Sequence, residues 1–129
     1  MNTKQKTIAE SMEAIGASIE VATFVAAQAT LESGNFSSDI FNENKNFFGM
    51  KKAKCRPTTA IGTNRNHAMY KINYDCMIDY YLWLVYNGFN QNTLKDLDKF
   101  KMRLRDSGYC PLKDYIDRIN TIYEEIKEN

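Results

Sequence analysis

Glu32 is the residue whose type and setting point most directly to chemistry. It closes an apolar run from Val21 to Leu31, broken only by Thr23, Gln28 and Thr30, and Ser33-Gly34 follows at once. A glycine there suits a helix C-cap. The carboxyl is therefore expected at the negative end of a helix macrodipole and partly withdrawn from water, and both effects raise its pKa. A carboxyl kept protonated near neutral pH can hand a proton to a leaving oxygen, the step that opens a glycosidic bond. The competing reading is an ordinary surface glutamate. A helix C-terminus is a poor place for one, and local misfits of this kind are often functional.

The second chemical feature is a run of charge. No acidic residue lies between Glu43 and Asp75, whereas Lys45, Lys51, Lys52, Lys54, Arg56, Arg65 and Lys71 do. It reads as a solvated face or as a basic rim for an anionic polymer. The net charge of +1 provides no global field to draw in nucleic acid, and no nucleic-acid reader motif accompanies the run. Cys55, Cys76 and Cys110 are odd in number and widely spaced, with no Cys-x-x-Cys pair, and His67 is the lone histidine. No metal site, no cofactor and no disulfide framework are expected, and the thiols are expected to be reduced.

These groups need a scaffold. At 129 residues the chain can form one domain, expected over 1–129, with a core that needs no staples. Helices are predicted at about Lys4 to Ile15, Ile19 to Glu32 and, briefly, Ser38 to Asn44, then from Tyr74 to the stop at Gly88, from Thr93 to Asp106 and from Leu112 to Lys127. In the second, Val21, Phe24, Val25, Gln28, Leu31 and Glu32 share one broad stripe. In the fourth, Met77, Ile78, Tyr81, Leu82, Leu84 and Val85 are core candidates, as are Leu94, Leu97, Phe100, Met102 and Leu104 in the fifth. From Phe47 to Lys71 the helical period is lost, and Gly49, Pro57, Thr58, Thr59, Gly62 and Thr63 suggest turns and a small β-hairpin. The fold class is thus α+β, mostly α-helical, with segregated elements. The polar Met1 to Thr7 is no signal peptide, and the apolar run is too short to span a membrane, so synthesis in the cytoplasm and no membrane partner are expected.

Four motifs in order carry a resemblance. Ala27-Gln28-Ala29-Thr30-Leu31-Glu32-Ser33-Gly34 resembles the Ala-Gln-x-x-Leu-Glu-Ser-Gly signature of bacterial glucosaminidases of glycoside hydrolase family 73, the flagellar-rod-hydrolase and autolysin type. Asn46-Phe47-Phe48-Gly49-Met50-Lys51 is similar to their Asn-Leu-Phe-Gly-Ile-Lys segment. Met69-Tyr70 with Asp79-Tyr80 is similar to a Tyr…Asp-Tyr block, and Ser107-Gly108-Tyr109 with Tyr115 to an Ala-Gly-Tyr…Tyr block. One such motif is weak; four in sequence, covering most of the chain, are strong.

The resemblance implies a lysozyme-like fold with a small β-hairpin insertion and cleavage of the glycan strands of peptidoglycan, most simply as an endo-β-N-acetylglucosaminidase. It implies Glu32 as the catalytic acid and Gln28, Ser33, Asn46, Phe48, Tyr70 and Tyr109 near the sugar. Each has a plainer reading: Asn46 can hold a turn, Phe48 and Tyr70 can be core aromatics, Tyr109 can pack on a helix end, and Asp79 can pin a helix. The chain departs from the family in two respects: Gly108-Tyr109-Cys110-Pro111-Leu112-Lys113 stands where the family has Gly-Tyr-Ala-Thr-Asp-Pro, read as loop drift, and the hairpin differs. The second acid often found in the hairpin is missing, and Thr58, Thr59, Thr63 and His67 stand there instead. Asp39 and Glu43 are the nearest other acids in sequence. Three routes stay open: attack by the substrate's own acetamido group or 6-hydroxyl, the latter making a lytic transglycosylase; attack by a water held on threonine or tyrosine hydroxyls; or a non-catalytic glycan-binding or virion structural protein. Muramidase action through the same Glu32 is also open. Lys51, Lys52, Lys54 and Arg56, directly after the second motif, are expected to hold the peptide carboxylates of the polymer. A monomeric bacteriophage protein, released as an endolysin or carried in a virion, is the expected context.

Overall fold

The computed structural model describes residues 1–128. Helix α1 (Thr3–Ala14) opens on a reciprocal cap: Asn2 accepts from the Gln5 amide at 2.8 Å, while the Gln5 side chain accepts from the Asn2 amide at 3.0 Å. Helix α2 (Ile19–Glu32) starts on Ser18, whose hydroxyl accepts from the Val21 amide. Every residue from Val21 to Thr30 is buried, so α2 is wrapped on all sides, not along one stripe. It packs on α1, on α6 (Leu97–Asp106) and on α7 (Tyr115–Glu128). Ala22, Ala26, Ala27 and Ala29 present little bulk and let those neighbours approach closely. Beyond Glu32 the chain leaves α2 through three successive left-handed residues, Gly34, Asn35 and Phe36, with φ of 58°, 58° and 62°. The buried Ser33 hydroxyl accepts from the Phe36 amide at 2.8 Å and stabilises this turn.

Helix α3 (Asp39–Asn44) leads into the hairpin, β1 (Gly62–Asn64) and β2 (His67–Met69), antiparallel with Thr63 opposite Ala68. Arg65 and Asn66 both have positive φ, as a two-residue turn with primed geometry requires. Asn44 ties the hairpin to α3: its amide donates to the Asn64 carbonyl at 2.9 Å, and Asn64 donates back to Asn44 Oδ1 at 2.9 Å. The class is α+β, mostly helical, with the expected hairpin insertion. None of the described helices is long and apolar enough to cross a membrane.

Three expectations need correction. The helix predicted from Thr93 to Asp106 is two helices, α5 (Gln91–Lys95) and α6. Asp96 between them is extended (φ −131°, ψ 112°), and its carboxylate accepts from the Lys99 amide, so an N-cap interrupts the apolar pattern. Helix α4 (Asn73–Tyr86) buries Cys76, Met77, Tyr80 and Leu84. Ile78 and Val85 are about half exposed, as is Met102 on α6, because helix phase and not side-chain hydrophobicity selects the inward face. Finally, α7 begins at Tyr115; Leu112 lies before it, exposed, in the loop that follows Pro111.

Candidate active site

The site is assembled around the C-terminal end of α2. Facing it is the turn at 46–50, held by one side chain. Asn46 is buried; its Oδ1 accepts from the Phe48 and Met50 amides, both at 3.2 Å, and its Nδ2 donates to the carbonyls of Met50 (2.9 Å) and Ala68 (3.0 Å). The turn is thereby fixed to itself and to β2. At its tip Gly49 has φ +67°, and a Cβ added there would lie 3.6 Å from Glu32 Oε2. The carboxyl thus sits against bare backbone. Phe48 stacks on Tyr80 (4.1 Å, 20°), and its carbonyl accepts the Tyr109 hydroxyl at 2.7 Å.

Glu32 is half-buried and hydrogen-bonded by the Tyr115 hydroxyl. Burial raises its pKa above the usual 4.5, and the effect outweighs two opposing ones: the Tyr115 hydrogen bond and the nearby positive charge of Arg118. Behind Tyr115 runs a buried chain of donors. The Tyr80 hydroxyl donates to Gln28 Oε1 at 2.6 Å, and Gln28 Nε2 donates to the Tyr115 oxygen at 3.0 Å. Burial pushes both phenols far above their ordinary range, so each keeps its proton at any working pH. With its oxygen taken by Gln28, Tyr115 directs that proton to Glu32.

A groove of about 690 Å³ opens over this carboxyl. Glu32, Phe48 and Tyr109 line it, and Glu32 is the one carboxylate among its described lining residues. One wall, from Lys51 to Arg56, is basic; the other, from α4 and the loop at 107–111, carries no charged group. Among the described residues no three His, Cys, Asp or Glu side chains converge on a metal-sized site.

The predicted residues therefore divide. Glu32, Phe48 and Tyr109 reach the groove. Gln28, Ser33, Asn46 and Tyr70 are buried behind it with their polar atoms bonded to protein. The Tyr70 hydroxyl donates to the Asp79 carboxylate, which also pairs with Arg56 at 2.7 Å; Asp79 is fully buried, and the Arg56 side chain is 6% exposed. Asp79 hence pins the basic loop to α4. Arg56 is not a free cation, which corrects its expected place among the polymer-holding residues. Thr58, Thr59, Thr63 and His67 do not line the groove. Thr59 donates to the Asp75 carbonyl and Thr58 accepts from the Ala60 amide, so both hydroxyls serve the loop. Glu43 pairs with Arg65 at the surface, and neither it nor Asp39 lines the groove.

Sequence reasoning missed the connection of Tyr80 and Gln28 to Tyr115. Buried polar groups in otherwise apolar helices were its only signal. It also passed over Trp83, which lines the groove.

The family described as glucosaminidase, mannosyl-glycoprotein endo-β-N-acetylglucosaminidase, matches residues 6–128. No curated protein and no solved structure matches the chain.

Proposed function

The chain belongs to the glucosaminidase family and is a glycoside hydrolase of the N-acetylglucosaminidase type, and on that premise we propose that it is an endo-β-N-acetylglucosaminidase of peptidoglycan with Glu32 as its general acid. The observation that carries the assignment of the acid is the half-buried Glu32 carboxyl, raised in pKa, as the one carboxylate among the described residues that line the groove.

With no second carboxylate among the described residues lining the groove to act as nucleophile, the substrate's own acetamido group is the best-supported attacker. Protonated Glu32 gives its proton to the glycosidic oxygen, and that oxygen leaves with the bonding electron pair. The acetamido carbonyl oxygen closes on the anomeric carbon, forming an oxazolinium ring. Glu32, now a carboxylate held by the Tyr115 hydroxyl, takes a proton from the water that opens the ring, and the acid is restored. Burial supports the first state and the Tyr115 hydrogen bond the second, so one residue serves as acid and then as base. Lys51, Lys52 and Lys54 lie on or beside the basic wall, exposed, and are suited to the carboxylates of the stem peptides.

Digestion of purified peptidoglycan, borohydride reduction and mass spectrometry test the reading. Reduced N-acetylglucosamine ends are expected. Reduced muramic ends would mean a muramidase, and anhydro-muramic ends a transglycosylase. Binding to the wall with no new ends would mean a non-catalytic glycan-binding protein.

A further inference from the structure

We propose that Trp83, Tyr86 and Asn87, at the C-terminal end of α4, form a binding subsite for a pyranose ring of the glycan on the uncharged wall of the groove. The inference rests on the glycan-cleaving reading above and adds where a sugar is held.

Three observations converge. Trp83 lines the groove, part-buried, and is wedged among rings: Tyr80 nearly parallel at 6.2 Å, Phe89 at 5.8 Å and Tyr109 edge-on at 5.0 Å. Its indole is therefore fixed in place before any ligand arrives. One helical turn on, Tyr86 also lines the groove at 60% exposure, with no ring partner among the described residues. The Asn87 amide donates back to the Trp83 carbonyl at 2.9 Å, which orients the group and leaves Oδ1 without a partner among the described residues. A fixed aromatic, an open aromatic and a free amide oxygen suit a pyranose: its axial C–H face lies on a ring, while a hydroxyl or acetamido N–H donates to the amide oxygen. The polarity of the groove fits the same occupant. Sugar rings on the uncharged wall leave the acidic stem peptides to the lysines across from them.

Trp83 is the sole tryptophan of the chain, so its emission reports this subsite alone. The probe is the β-1,4-linked tetramer of N-acetylglucosamine, titrated into full-length Glu32→Gln so that no turnover interferes. A saturable change in tryptophan emission is expected. Tyr86→Ala, a surface change that leaves the core intact, should raise the midpoint about five-fold, and in the active chain should raise KM while kcat holds; Tyr86→Phe should restore KM. Emission unmoved up to concentrations at which the tetramer competes with peptidoglycan turnover, or an unchanged KM in Tyr86→Ala, would overturn the subsite. Because the titration needs no catalysis, its outcome is independent of whether wild type clears peptidoglycan, and a failure of the reaction assignment is read separately from the product ends.

Discussion

Gln28 and Tyr115 lie 87 residues apart in the chain and 3.0 Å apart in space, the Gln28 amide donating to the Tyr115 phenol oxygen. Because the Tyr80 phenol donates to the other end of that amide, the amide cannot turn over without losing both bonds. Replacing Gln28 with Met keeps the bulk and strips both phenols of a partner. Stability should fall by about 1–3 kcal/mol, measured as a lower urea midpoint at unchanged slope. An unshifted midpoint would mean that the phenols find other partners at no cost.

Tyr115→Phe isolates the last bond of the chain. The Tyr115 hydroxyl lowers the Glu32 pKa, so its removal should let burial raise that pKa further. The alkaline limb of the kcat profile, where the proposed acid loses its proton, should move to higher pH. Kcat itself should fall, since the carboxylate formed during the reaction loses its donor. A limb that stays in place would remove Tyr115 from the tuning of the acid.

Glu32→Gln separates activity from stability. Loss of the proposed general acid should lower turnover by about 10²–10⁴-fold. Stability should change in the opposite sense at alkaline pH. Glu32 has a folded-state pKa raised above 4.5, so its favourable contribution is complete below the unfolded value and is lost as pH rises through the folded one. Above that window the wild type carries a disfavoured buried charge that glutamine lacks. Thermal midpoints measured across the acidic to mildly alkaline range should diverge upward in pH, with the variant the more stable. Parallel curves would contradict the burial account.

Asp79→Ala removes one partner of a buried ion pair and leaves Arg56, at 6% exposure, with an unmatched charge. The Tyr70 hydroxyl loses its acceptor too. A cost of about 3–5 kcal/mol is expected, read by chemical denaturation. The double variant Asp79→Leu with Arg56→Met should recover part of it, because both buried charges are then gone.

Replacing Lys51, Lys52 and Lys54 with Gln should weaken sedimentation with purified cell walls and flatten its dependence on ionic strength, since salt screens exposed charges. Equal salt dependence in wild type and variant would place the attraction elsewhere.

Much of this arrangement was legible in the chain. The apolar run ending in Glu32-Ser33-Gly34 marked α2 to its last residue, and the ordered motifs marked the turn and tyrosines around it. What stayed hidden has two physical sources. Helix phase decides burial, so Tyr80 lies wholly inside while the more hydrophobic Ile78 faces out. Partners distant in sequence leave no periodic trace: Arg56 with Asp79, or Gln28 with Tyr115, could be found only once the chain was folded. Asp96 read as an interior position of a helix because the apolar spacing runs through it, while its side chain caps the next helix.

Glu32, the proposed acid, lies two residues beyond the most enclosed described segment, since α2 has neighbours on every side from Val21 to Thr30. Amide protons in that segment should be among the most protected, with exchange that reports the global unfolding free energy. Loss of activity on heating and melting of the domain should then coincide in one cooperative event.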